Sequence, residues 1–294
     1  MKEIIVGKYT ELSNEEYHAH TDSISRSAIM DFMQSPRKYW ANYLNPNRPS
    51  KKTTEAMEFG ENFHQMILEP KNFNEQTCLE IKLNELPKCG LLRDLGRDEY
   101  DRQKAHLDQV KLQNEILQTE YDVLNAGLKC IKQEDFQKMN DMRDSLQANA
   151  EAWDLLSEGK YENSYFWKDE DTDILLKARP DILHSSVIVD LKTARDASPR
   201  GFQNAMCYGG YHIQAAMILD AIKAIDGHDI NTFINIVIEK EYPYAVGVYI
   251  IDTRAINLGR AKYKAALHGI KQAREKNEFL DYPAQVIELP AWYE

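Results

Sequence analysis

The spacing of apolar residues changes character along the chain. Up to about residue 70 it is helical. Ser25 stands where it can cap a helix from Arg26 to Met33, and Pro36 opens a second one, SPRKYWANYL, with an aromatic and basic face. NPNRPSKKTT is a breaker-rich basic loop. In EAMEFGENFHQMILEP, Met57, Phe63, Met66 and Ile67 fall roughly on one helix face before Pro70 ends it. Residues 71–92, with Pro87 and Gly90, read as irregular. A long polar stretch from about Arg93 to Ser157 repeats Leu107, Val110, Leu117, Tyr121 and Leu124 near helical period. It predicts two or three helices interrupted near Gly127 and Gly159, with most of its charges on solvated faces.

At Tyr161 the pattern turns to strands. YENSYFWKD, TDILLKARPDIL and SSVIVDLKT are aromatic or β-branched and separated by short polar turns, which predicts three consecutive antiparallel strands. A helix follows around NAMCYGGYHIQAAMILDAIKAI. Two strands come next, INTFINIVIEK and YAVGVYII, joined by a turn at Tyr242-Pro243, and TRAINLGRAKYKAALHGIKQAREK closes as a helix. The chain thus divides into a helical region 1–70, a helical insertion 71–160 and an α/β core 161–294, all within one compact domain.

Composition narrows the class. With 43% hydrophobic and 28% charged residues the chain is globular rather than disordered. It has no apolar run of about eighteen residues, and its first twenty residues have no apolar signal core, so a cytoplasmic location is expected. The four cysteines, Cys78, Cys89, Cys130 and Cys207, form no C-x-x-C pair, which argues against a zinc site, an iron–sulfur cluster or a disulfide framework. A net charge of -11 taken alone speaks against nucleic acid, unless acidic outer surfaces surround a basic cleft.

The candidate chemistry lies in KARPDILHSSVIVDLKTA. Asp190 and Lys192 are two apart on a strand and emerge on one face. Val187, Ile188 and Val189 make that strand a buried one, where a charged pair is costly unless satisfied. With Ser185-Ser186 as a two-residue loop, Asp181 lies directly opposite Asp190. With His184-Ser185 as the loop, the two are diagonal neighbours. Both registers put them on one face. Like charges this close repel, and a hard divalent cation with oxygen ligands cancels that repulsion. Two acids and a lysine on one strand face suit phosphodiester hydrolysis.

PD followed by D-x-K across a hairpin resembles the PD-(D/E)-x-K nuclease superfamily. More closely, the chain resembles the exodeoxyribonuclease VIII (RecE-type) exonucleases of phage and prophage recombination systems. The likeness runs through ISRSAIMDFMQSPRKYW, EFGENFHQMILEP, KARPDI, VDLKTA and YGGYHIQAAMILDAI, in order, and only loosely through the helical insertion. It implies a restriction-endonuclease-like α/β core, a mixed central sheet flanked by helices, with a helical N-terminal region and an insertion. It further implies His64, Asp181, Asp190 and the backbone carbonyl of Leu191 as metal ligands, and Lys192 as the catalytic lysine. Gln214 and Tyr211 would stand near the substrate phosphate. The cofactor implied is Mg2+, with Mn2+ able to substitute. The activity implied is exonuclease action on double-stranded DNA from the 5′ end, leaving 3′ single strands for recombination, by a homo-oligomer, in the family's form a toroidal tetramer, beside a single-strand annealing protein. Glu162 reads either as a group beside the metal ligands or as an exposed carboxylate.

Local basic groups supply a DNA footprint despite the net charge: Arg37, Lys38, Arg48, Lys51 and Lys52 before the histidine helix, and Arg179, Arg195 and Arg200 around the catalytic strand, Arg179 being the candidate substrate contact. Tyr39, Trp40 and Tyr43 either stack on a DNA end or pack the first helices into the core. The rival readings are an endonuclease or a Cas4-like nuclease of the same core, the latter disfavoured by the cysteine spacing, and a DNA-binding protein without catalysis.

Overall fold

The computed structural model describes residues 5–49, 53–91 and 96–289. It opens with β1 (Gly7–Tyr9), α1 (Asn14–Ala19), α2 (Arg26–Gln34) and α3 (Pro36–Tyr39), the last running into a π turn at Trp40–Leu44. Then come α4 (Glu55–Leu68), α5 (Pro70–Gln76), β2 (Thr77–Leu79), α6 (Arg97–Leu124), β3 (Lys129–Ile131), α7 (Gln133–Ala148) and α8 (Ala150–Ser157). The strand-rich part is β4 (Lys160–Tyr161), β5 (Ser164–Lys168), β6 (Leu175–Ala178), β7 (Ile182–Leu183) and β8 (Val187–Ala194). Helices α9 (Pro199–Gly209) and α10 (Tyr211–Asp226), strands β9 (Thr232–Glu239) and β10 (Val246–Ile250), and helix α11 (Thr253–Lys276) follow.

Contacts divide the chain into two units, Met1–Met57 with Met142–Glu294, and Glu58–Asp141. The expected divisions at residues 70 and 160 differ from this: most of α4, with His64, falls in the unit Glu58–Asp141, and α8 falls with the strands. In the second unit Phe63, Met66, Phe73, Ile131 and Met139 are buried, and the rings of Phe73 and Phe136 stack at 6.5 Å. Residues 71–92 are not wholly irregular. Pro70 does not simply end a helix but takes the first position of α5, where its missing N–H costs nothing, and β2 pairs in parallel with β3. The expected helix start at Arg93 lies outside the described residues.

The first unit holds a mixed five-stranded sheet in the order β10-β9-β8-β7-β4 and an antiparallel sheet in the order β1-β5-β6. β8 and β9 run parallel and the other neighbours antiparallel. Ile188–Leu191 of β8 and Phe233–Ile238 of β9 are buried without alternation, as covering from both sides produces. This is the mixed α/β architecture expected. Three elements break where sequence periodicity alone does not show it. The run YENSYFWKD divides at Glu162-Asn163, where Glu162 takes a positive φ of 50°, into β4 of the five-stranded sheet and β5 of the other. The run TDILLKARPDIL is not one strand. It splits at Arg179-Pro180 into β6, which pairs with β5, and β7, which pairs with β8 in the other sheet. Proline lacks the N–H that a continuing ladder needs. The helix expected around NAMCYGGYHIQAAMILDAIKAI is two helices, because Gly210 adopts the left-handed conformation (φ 66°) that ends α9 and starts α10.

The core of this unit gathers α10 against β5, β6 and α11. Helices α10 and α11 approach so closely that a Cβ on Gly259 would stand 2.2 Å from the carbonyl oxygen of His212. No helix among the described residues is long and apolar enough to cross a membrane. Gly259→Ala would favour an isolated helix by about 1 kcal/mol. Here it should instead destabilise the protein by about 1–3 kcal/mol through overpacking. Thermal unfolding would read this as a lower melting temperature, and an unchanged or raised one would refute the crossing.

Candidate active site

The backbone alone assembles a polar row across the five-stranded sheet. Ile182 pairs with Val189 and Leu183 with Ile188, and the N–H of His184 donates to the carbonyl of Val187 at 3.0 Å. Ser185-Ser186 is therefore the hairpin loop, the first of the two registers, and one step further along the ladder Asp181 faces Asp190. On the far side of β8, Asp190 pairs with Asn235 of β9, which pairs with Tyr249 of β10. On the near side the N–H of Glu162 donates to the carbonyl of Asp181 at 3.1 Å, continuing the β4–β7 pairing. Glu162, Asp181, Asp190 and Asn235 thus lie side by side across four neighbouring segments.

Each acid in the row is held by specific donors. Asp190, 0% exposed, accepts from the Nε2–H of Gln214 at Oδ1 (2.7 Å) and from the Nδ2–H of Asn235 at Oδ2 (2.9 Å). Lys192, on the same face of β8, closes an ion pair with Oδ2 of Asp190. Asp181, 9% exposed, accepts from the N–H of Leu191 at 2.8 Å. The Lys192 ammonium also stands 5.2 Å from the centre of the Tyr211 ring. Arg26 of α2 lies over the same ring at 5.8 Å and donates to the carbonyl of Gly209. The break at Gly210 sets this arrangement. It starts α10 beside the sheet, so that Tyr211 and Gln214, one turn apart, both face β8.

The electrostatics follow from burying these charges together. Burial, then the Asp190 carboxylate, pushes the Asp181 carboxyl well above its usual value of 3.8. Lys192 and the Leu191 N–H only partly oppose this. For Lys192 burial works against the ammonium, yet Asp190 and Asp181 outweigh it and hold the group above 10.5. Asp181 and Asp190 therefore share one lysine between two carboxyls, while Glu162 at the edge of the row stands 3.7 Å from Arg179.

The donors fit a hard divalent cation. They are carboxylate oxygens, side by side and short of positive charge, and magnesium is commonly held by one or two carboxylates with water and substrate phosphate completing the shell. Among the described residues no three His, Cys, Asp or Glu side chains form a metal site by themselves. The side chain of Leu191 is buried with the apolar residues, so any part it takes as a ligand falls to its backbone. His64 lies half-buried on α4, in the unit Glu58–Asp141.

Other expected contacts are placed differently. Arg179, the candidate substrate contact, is turned inward. It donates to Oγ of Ser164 (2.8 Å) and to the carbonyls of Leu12 (2.9 Å) and Ser13 (3.3 Å), lies 4.4 Å over the Tyr17 ring, and stands 3.7 Å from Glu162. A guanidinium so engaged braces the protein rather than meeting substrate. Tyr39 is fully buried and stacks on Tyr43 at 5.5 Å, so these two rings pack the core. Trp40 keeps Arg37 over its ring at 4.7 Å. Arg37, Lys38, Arg48, Arg195 and Arg200 are exposed, while Lys51 and Lys52 lie outside the described residues. Sequence reading missed Asn235 and Arg26 at the site. Asn235 carried one signal, a lone amide in the middle of an otherwise apolar strand.

The fold agrees with known proteins. The chain belongs to the family described as a PDDEXK-like domain of unknown function (DUF3799), whose model matches residues 25–286. Among solved structures, a candidate exonuclease from Eubacterium rectale shares the fold, with a TM-score of 0.57 and 15% identity, covering 94% of this chain and 97% of that one. The structure of SSO0001 overlaps at a TM-score of only 0.25 and 14% identity, over 68% of this chain and 85% of that one. No curated protein matches the chain.

Because the Asp181 value is raised on folding, the cation-free protein should lose stability as pH rises from 3.8 through that raised value, where the unfolded chain holds fewer protons than the folded one. In EDTA at neutral pH, Asp181→Asn should melt about 2–4 °C above the parent protein. Mg2+ or Mn2+ should raise the melting temperature of the parent and leave that of Asp181→Asn in place. An equal response of both proteins would remove Asp181 from the site.

Proposed function

We propose that this protein is a metal-dependent exonuclease that degrades double-stranded DNA, 5′ to 3′, and leaves 3′ single-stranded tails for homologous recombination. The observation that carries the nuclease reading is the facing of Asp181 and Asp190 across β7 and β8, with Lys192 on the same strand face, in a PDDEXK-like domain. The name of the Eubacterium rectale protein favours an exonuclease over an endonuclease. Polarity and the recombination role come from the resemblance to RecE-type exonucleases.

In this reading Asp181, Asp190 and the Leu191 carbonyl hold the cation, Mg2+ or in its place Mn2+, with His64 as a further ligand. When bound, the cation supplies Lewis acidity and a water of lowered pKa. Gln214 fixes the orientation of Asp190, which leaves the carboxylate preorganised rather than free to rotate. Lys192 is kept as an ammonium by its acid neighbours. As an ammonium it supplies a positive charge toward the phosphate, where negative charge grows. The Tyr211 ring borders its swing. Exposed Arg37, Lys38, Arg195 and Arg200 supply salt-dependent phosphate contacts. A homo-oligomer, toroidal as in the resembled family, and a single-strand annealing partner belong to the same reading.

Digestion of end-labelled linear duplex with Mg2+ tests it. The parent protein should release a 5′ label first and spare covalently closed circles. Asp190→Ala should abolish digestion, and Lys192→Ala should lower kcat by about 10²–10³-fold or more. Efficient nicking of closed circles would overturn the exonuclease reading, and full activity of Asp190→Ala would overturn the site.

A further inference from the structure

We infer that Asn235 is a positioning residue for Asp190, and that it acts by clamping the carboxylate together with Gln214 so that it is presented to the cation in one orientation. This rests on the reading of Asp190 as a metal ligand.

Asn235 occupies the centre of β9, in the run Phe233, Ile234, Asn235, Ile236, Val237, and all five are buried. An amide in that position is not explained by packing against its apolar neighbours. Its Nδ2–H donates to Oδ2 of Asp190, but its Oδ1 is buried with no hydrogen-bond partner, and a buried polar atom left unpaired costs free energy. The Oε1 of Gln214 is left in the same condition while its Nε2–H serves Oδ1 of Asp190. Two amides from two different elements, α10 and β9, thus each give their one paired nitrogen to opposite oxygens of a single carboxylate and leave their oxygens unsatisfied.

A carboxylate with one donor on each oxygen cannot rotate about its Cβ–Cγ bond without losing both. Lys192 alone does not provide this, because its long side chain can follow either oxygen. The parallel register of β8 and β9 puts Asn235 beside Asp190, so the clamp is fixed by backbone pairing rather than by a flexible loop. Groups that orient a metal ligand in this way typically contribute about 10–100-fold to metal affinity.

Binding of Mn2+ without DNA, measured by titration calorimetry, tests the inference on four variants against the parent. Asn235→Ala and Asn235→Leu should each weaken binding by about 10–100-fold. Asn235→Leu refills the buried space and removes the orphaned oxygen, which offsets the donor lost from Oδ2 of Asp190 while Lys192 still serves that oxygen, so it should melt near the parent temperature while still losing affinity. A merely structural role would not separate the two measurements. Ile236→Val, on the opposite face of β9, should lose packing and bind Mn2+ like the parent. In digestion assays the Asn235 variants should lose kcat more than they change KM. Asp190→Ala separates the possible failures. If it loses Mn2+ binding while Asn235→Leu binds within about twofold of the parent, the clamp is wrong and the site stands. If Asp190→Ala binds like the parent, both the site and the clamp fall.

Discussion

Placing two carboxylates opposite each other in a nearly dry sheet is the constraint around which the rest of this structure is arranged. Asp181 and Asp190 would repel and pay desolvation if left alone. The surroundings answer with one ammonium, two amides and a backbone N–H, each from a different position: Lys192 from β8, Gln214 from α10, Asn235 from β9 and the N–H of Leu191. The break at Gly210, the close crossing at Gly259 and the parallel pairing of β8 with β9 all bring these donors to the same row. Asp181 and Asp190 nonetheless share a single lysine, and a bound cation would add to it.

Much of this was legible in the sequence, for reasons that are local. VIVDLKTA is a strand because its residues are β-branched, and the two-residue period put Asp190 and Lys192 on one face before any partner was known. A two-residue loop at either Ser185-Ser186 or His184-Ser185 limited the hairpin to two registers, and the structure takes the first, with the acids directly opposed. Helix α11 coincides with its predicted span, Thr253 to Lys276, because its periodicity is uninterrupted and Asn277 in the left-handed conformation ends it.

What was not legible depends on partners far away in the chain. Asn235 becomes a neighbour of Asp190 only through a parallel pairing reached after two helices, and no pattern within β9 fixes that register. Arg179 looked like a phosphate contact because arginine beside a catalytic strand usually has solvent on one side. Here the N-terminal segment covers it. The pairing of β2 with β3 joins residues about fifty apart across a long helix, too short and too distant a match for periodicity to reveal. The splitting of one predicted strand between two sheets at Pro180 was marked by the proline, but a single proline does not say which sheet each half will enter.

That cover over Arg179 has a consequence for the beginning of the chain. Tyr17 and His20 also give their carbonyl oxygens to the Nζ of Lys177, at 2.7 Å each, and Lys177 is buried. The stretch from Leu12 to His20 therefore functions as a lid of carbonyl dipoles over two interior cations. A shortened chain beginning after it would take two carbonyl acceptors from each of these cations and leave Arg179 to lean more heavily on Ser164 and on Glu162, the outermost acid of the row.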